Sequence, residues 1–302
     1  MENVSFRISE ELKDKIMDFY QEYKIDNNGE YIIFFAKYEK ITITIFESKK
    51  GYKVLFSGEG SLSEAKIFNE DAEITIKEKK EISFETFEPQ IGSDEVGFGD
   101  FFGPLIVVAA YFDGNQSKLD KIKDSKKLTD QFILEFVPTI LKDTIFSKLT
   151  VHNDKYNQLI NKGYNMNQIK AVLHNYCLVN LHKKMPYVQN VYVDKFCDEK
   201  LYYQYLSQSK EVEKHIVFKE KGETYFPSVA LASCIARYLF LKEIATLNEK
   251  YKVKIPLGAS AEVDKFAIEF IKKYGENEFL KICKSNFKNY QKIKEQEQEK
   301  LF

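Results

Sequence analysis

The sequence has no tryptophan, only six prolines, and four cysteines that never fall at CxxC spacing. Cys177, Cys197, Cys234 and Cys283 are too scattered for a zinc knuckle or a redox motif, and read as free thiols in a reducing cytosol. His152, His174, His182 and His215 form no HExxH or similar arrangement, so they read as packing or surface residues. No apolar run approaches the roughly 20 residues needed to span a bilayer. The start, MENVSFRISEELKDKI, lacks the charged-then-apolar order of a signal peptide. These absences exclude a zinc-finger, a disulfide-stapled or a membrane-spanning protein, and they imply a cytoplasmic chain.

What is present describes a folded protein. Of 302 residues, 44% are hydrophobic and 30% charged, with 25 Phe and 19 Tyr, a mixture that disordered chains do not have. The length is great for a single core and suggests two domains. The net charge of −1 hides an asymmetry: residues 1–90 hold 13 basic and 19 acidic side chains, leaving 32 of the 45 basic and 27 of the 46 acidic to the remainder. The C-terminal two-thirds is therefore mildly basic and suited to an anionic polymer through local patches.

Along the chain, Val4–Arg7 reads as a strand, and Ser9 ahead of Glu10, Glu11 and a periodic apolar set reads as a capped helix. Strand-like runs follow at 31–38, 41–46 and 52–56; the alternation of Ile and Thr at 41–45 implies a sheet with one dry and one wet face. A short helix at 61–68 and a last strand at 74–76 complete a small α+β domain, 1–80. The charged stretch 81–89, ending near Pro89, is the expected linker. From 90 to 302 the expected order is strand 91–96, strand 105–112, helix 129–142, strand 144–151, helix 167–185, strand 188–195, strand 215–219 and helix 227–248. Helical pieces follow to 283, with a polar tail, KIKEQEQEK, expected to be a frayed helix or disordered. Interleaved strands and helices predict an α/β domain with a largely central sheet.

Its focus is Ile91–Phe112, IGSDEVGFGDFFGPLIVVAAYF: a short strand with Asp94 and Glu95 at its end, a glycine turn, and a strand with no charged side chain. Gly97, Gly99 and Gly103 permit positive φ and close approach by a backbone or a phosphate. Successive strand side chains alternate between faces, so Asp94 and Glu95 meet in one site only where the strand ends, bends or bulges. Ligands of α/β sheets gather beyond the carboxyl ends of strands. Asp94 and Glu95 close the first strand there, Asp194 closes VQNVYVD, and Glu223 follows HIVFK. Four converging carboxylates repel one another without cations, and divalent metal is the natural remedy.

The stretches GSDEVGFGDFFGPL, DSKKLT, YNQLINKGYNMNQIKAVLHN, VYVDKF, KGE and ALASCIARYLFL, in that order, resemble the type 2 ribonucleases H. The acid pattern Asp, Glu, Asp, Glu with an extra N-terminal domain is similar to ribonuclease HIII in particular. The resemblance implies a ribonuclease H-like catalytic domain and a small N-terminal domain similar to the TATA-binding-protein fold. It implies a metal-dependent endoribonuclease that hydrolyses the RNA strand of RNA/DNA hybrids, leaving 5′-phosphate and 3′-hydroxyl ends. Asp94, Glu95, Asp194 and Glu223 would be its catalytic and metal-binding residues, with Mg²⁺ or Mn²⁺. Gly97, Phe98, Gly99, Lys126 and Lys127 would contact substrate. No membrane and no obligate protein partner is implied, and a monomer is expected. The alternatives are incision at single ribonucleotides in DNA, as in ribonuclease HII, and a module that binds hybrids without cutting. The chain departs from the family pattern at Phe98, where a small polar residue is common, at Leu257, where a basic residue is common, and at Asn286, where His is common.

Overall fold

The Ser9 hydroxyl accepts from Leu12 N at 3.2 Å and so satisfies one of the N–H groups that a helix start leaves unpaired. That cap opens the first helix of the computed structural model, which describes residues 2–27, 29, 31–48, 51–74, 83–119, 122 and 129–299. The chain divides into two compact units, 1–79 and 80–302.

In the first unit, strands β1 (Asn3–Ile8), β2 (Ile32–Tyr38), β3 (Ile41–Ser48) and β4 (Gly51–Gly58) form an antiparallel sheet in the order β1-β4-β3-β2. Helices α1 (Glu10–Phe19) and α2 (Ser61–Lys66) cover one face. Val4, Phe56, Ile43 and Ala36 lie in one cross-strand row of that covered face. The opposite face is the wet one: Arg7 is paired with Lys53, which faces Phe46, and Lys37 is paired with Thr42. The Ile–Thr alternation therefore does what its period requires. The expected strand at 74–76 lies mostly outside the described residues.

The second unit is built on a five-stranded mixed sheet, ordered β7-β6-β5-β8-β9, from β5 (Gln90–Val96), β6 (Leu105–Phe112), β7 (Phe146–Val151), β8 (Val191–Asp194) and β9 (Ile216–Lys219). β6 runs antiparallel to β5 and β7, whereas β5, β8 and β9 are parallel, so the carboxyl ends of those three strands share one edge. In chain order the helices are α3 (Asp130–Leu141), α4 (Asn153–Asn161), α5 (Met166–Lys184), α6 (Glu199–Tyr205), α7 (Pro227–Tyr251), α8 (Ala261–Tyr274), α9 (Glu276–Leu280) and α10 (Lys288–Glu299). The core on one face of the sheet contains residues of α5, and that on the other contains residues of α7 and α3. β6 is dry on both faces, as its uncharged sequence requires.

α7 begins with Pro227 at its first turn, where the missing N–H costs nothing. Its small residues Ala230, Ala232 and Ala236 are buried and allow a close approach to the sheet. Contact is closest at Gly92, where an added Cβ would sit 2.4 Å from Ser228 Oγ and 2.5 Å from Val229 N. A separate aromatic core, with Phe101, Phe102, Phe270 and Phe279, joins the segment after the glycine turn to α8 and α9. The expected polar tail is helical, as α10.

Candidate active site

Strand alternation sends Asp94 and Glu95 to opposite faces of the sheet. Both lie in the last three residues of β5, ahead of the glycine turn, as the expected strand 91–96 requires. Asp94 points toward α7 with Gly92, and is hydrogen-bonded by the Ser233 side chain. Glu95 points toward α5 with Ser93. The ladder to β6 runs in regular register through both, and the two interact as sequence neighbours: Asp94 Oδ1 accepts from Glu95 N at 2.7 Å. Asp194, the last residue of β8, accepts from Gly222 N at 2.9 Å, in the 3₁₀ turn Gly222–Thr224 that holds Glu223.

These four acids share one electrostatic environment. Burial, then the charges of Glu95 and Asp194, push the Asp94 carboxyl well above its usual range. Burial raises Asp194 and Glu223 as well, with repulsion added by Glu95 at Asp194 and by Asp194 at Glu223. Glu95 moves the other way: burial alone would raise it, but His174 and then Lys170 hold it below the ordinary glutamate value.

Its partners are specific. Lys170 Nζ donates to Glu95 Oε1 at 2.5 Å, and His174 Nε2 lies 2.7 Å from Oε2. The other His174 nitrogen, Nδ1, lies 2.7 Å from Ser93 Oγ, and the ring stacks on Phe196 with centroids 5.1 Å apart. His174 is fully buried in the site, so its reading as one more packing or surface histidine is incomplete. One signal was present: Lys170 and His174 are four apart on one helix and so share a face.

The set fits a divalent cation by its chemistry. It supplies carboxylate oxygens, as hard cations require, and Glu223 Oε2 is buried with no hydrogen-bond partner, an acceptor that a cation would satisfy. Among the described residues, no three His, Cys, Asp or Glu side chains stand close enough together to enclose an ion as they are arranged. The engaged oxygens of Glu95 and Asp194 are consistent with that opening.

Of the expected substrate contacts, Gly97 has φ +93° and its absent Cβ would meet Pro104 O at 2.2 Å, so only glycine fits. Gly103 likewise uses a positive φ, of +83°. Gly99 uses neither freedom; it is exposed, with open space where a Cβ would be. Phe98 turns inward: it packs on the core beside α5, its ring centroid 4.2 Å from Lys170 Nζ. Lys126 and Lys127 lie outside the described residues. Leu257 packs against the core beneath α7, and Asn286 Oδ1 accepts from Tyr156 Oη at 3.0 Å.

A mixed sheet flanked by helices, with acids gathered at the shared strand ends, defines a nuclease of the ribonuclease H-like class. The ribonuclease HII family profile matches residues 91–290, and a domain profile of unknown function matches 3–81. Ribonuclease HIII of Phytoplasma mali is 40% identical over 97% of this chain and 98% of its own length. That of Bacillus cereus is 38% identical over 86% and 88%. The crystal structure of Bst ribonuclease HIII in complex with Mn²⁺ superposes with a TM-score of 0.65, at 30% identity, covering 97% of this chain and 98% of that one. The chain belongs to the ribonuclease HIII family.

Proposed function

We propose that this ribonuclease cuts the RNA strand of RNA/DNA hybrids with two divalent cations, Mg²⁺ or Mn²⁺, leaving 5′-phosphate and 3′-hydroxyl ends. The observation that carries the reading is the meeting of Asp94, Glu95, Asp194 and Glu223 at one sheet edge, with a buried Glu223 oxygen left without a partner. Asp94 and Asp194, with Glu95 and Glu223, would hold the cations. When bound, these supply water activation, stabilisation of the leaving oxygen and charge neutralisation at phosphorus. The Mn²⁺ complex of the Bst enzyme supports a cation of this kind.

The chain's own residues supply the rest. Burial and like charge make the carboxylates unfavourable alone, which biases them toward cation binding. His174 and the Gly222 N–H fix one oxygen each of Glu95 and Asp194, limiting the rearrangement that binding requires. The bare, exposed backbone at Gly99 leaves room for a ribose, whose 2′-hydroxyl both donates and accepts. Lys126 and Lys127 are proposed phosphate contacts by family resemblance.

Residues 1–80 are proposed as a hybrid-binding domain, joined through 81–89 to the catalytic domain 90–302. Its open sheet face supports this role. Arg7 and Lys53 stand directly opposite one another, a like-charge pairing that costs stability unless an anion is near.

The test is cleavage of an RNA/DNA hybrid, double-stranded RNA and a DNA duplex with one ribonucleotide, with and without Mg²⁺. Metal-dependent cutting of the hybrid is expected, and D194N should lose it while still binding hybrid. Incision of the single-ribonucleotide substrate alone would replace this reading with the ribonuclease HII-like one. Hybrid binding with no cutting in either metal would leave only a binding module.

A further inference from the structure

The Lys170 ammonium is placed as a cation among carboxylates. Its side chain is 13% exposed and that of Glu95 11%, so the pair is largely removed from water. A buried ion pair adds little to stability on balance, because desolvation of both charges offsets their attraction. Stability is therefore a poor reason for this one. The surroundings suggest another: the ammonium lies 4.2 Å from the Phe98 ring centroid and 5.2 Å from that of Phe196, where each π-face attracts it.

The two groups that hold Glu95 differ in kind. His174 is fixed by Ser93 on its far nitrogen and by the stacked Phe196 ring. Lys170 reaches Glu95 on a flexible stem, as a point charge. Withdrawing it frees Oε1 and leaves Oε2 held. Phe98, which covers the ammonium, belongs to the Gly97–Gly99 turn.

We propose that Lys170 is a resident counter-ion of the carboxylate cluster. Its ammonium, lying against the Phe98 and Phe196 rings, holds Glu95 Oε1 and competes with a divalent cation for that oxygen. The inference rests on the reading of Glu95 as a metal ligand. Lys170 is then a positioning residue, and it tunes how much metal the enzyme needs. Any shift of Phe98 when a hybrid engages the turn would loosen its hold, so substrate and metal would favour each other reciprocally.

The experiment is Mn²⁺ binding, by calorimetry without substrate, to the full chain and to K170Q, K170M and E95Q. Thermal melts over a Mn²⁺ series accompany it. K170Q keeps a donor toward Glu95 without the charge, and it decides the matter if K170M does not fold. Removing one positive charge beside the site should tighten Mn²⁺ binding at least about threefold in both lysine variants. Their melting temperatures should lie below that of the parent without metal and close on it as Mn²⁺ rises, because a ligand stabilises the folded state by RT ln(1 + [L]/Kd), which is larger for the tighter binder. A lysine with only a structural role would lower the melting temperature equally at every Mn²⁺ concentration. Unchanged or weaker Mn²⁺ binding in K170Q, with E95Q weakened, overturns the inference and leaves the metal-ligand reading intact. If E95Q also binds Mn²⁺ as the parent does, the assignment of Glu95 as a ligand fails instead.

Discussion

Lys284 shows what a single buried amine can fix. Fully buried, it donates from Nζ to the Asp100 and Gly103 carbonyls at 2.7 and 2.6 Å. Burial pushes its pKa down to about 7, against the opposing charge of Asp100. A neutral amine keeps two N–H groups, enough for both carbonyls. In the unfolded chain the same amine stays protonated up to about 10.5. Between these values the unfolded state binds more protons, so the contribution of Lys284 to stability rises with pH; below about 7 both states are charged and the burial cost is full. K284M leaves two carbonyls without this donor and removes the titration. The melting temperature of the parent relative to K284M should therefore climb between about pH 7 and about pH 9. A gap that stays flat across that range contradicts the account. Nothing in KSNFKNY announces a buried lysine, because burial comes from the distant segment 100–103. The placement of Asp94 and Asp194 near strand ends was legible because a strand end can be read locally; the Lys170–Glu95 pair needed the meeting of α5 with β5.

At the scale of elements, the close approach of α7 to β5 makes a sharp demand at Gly92. A methyl group there meets backbone at Val229 and cannot be relieved by a rotamer change. G92A should cost about 1–3 kcal/mol of stability through overpacking. It should also lower turnover, since Asp94 lies two residues along the same strand. The denaturant midpoint measures the first effect, and an unmoved midpoint would mean that the start of α7 yields freely. The strands and long helices were readable because their periods are local: β6 matches its apolar run from 105 to 112, and α7 begins at Pro227 as expected. The expected strand at 188–195 shortens to Val191–Asp194. α4 and α6 escaped notice as separate helices. They are short and polar, and α6 buries Tyr202 alone among its residues.

At the scale of the whole molecule, the two units have their own hydrophobic cores. Removing residues 1–79 should therefore leave a folded catalytic unit whose KM for hybrid rises far more than its kcat falls. Steady-state kinetics with the truncated chain checks this, and an unchanged KM would remove substrate binding from the roles of the first unit. The catalytic unit also has its own long-range dependence. The segment after the glycine turn is tied to residues far along the chain: Asp100 Oδ1 accepts from Gly258 N, and Gly103 N donates to Ile282 O. Lys284 completes the tie from farther still. On the ribosome, β5 and its acids emerge while none of these partners yet exists. The glycine turn thus has no anchor for most of the time the chain is being made, and a growing polypeptide near nucleic acid holds its acids long before it holds the loop that would present a substrate to them.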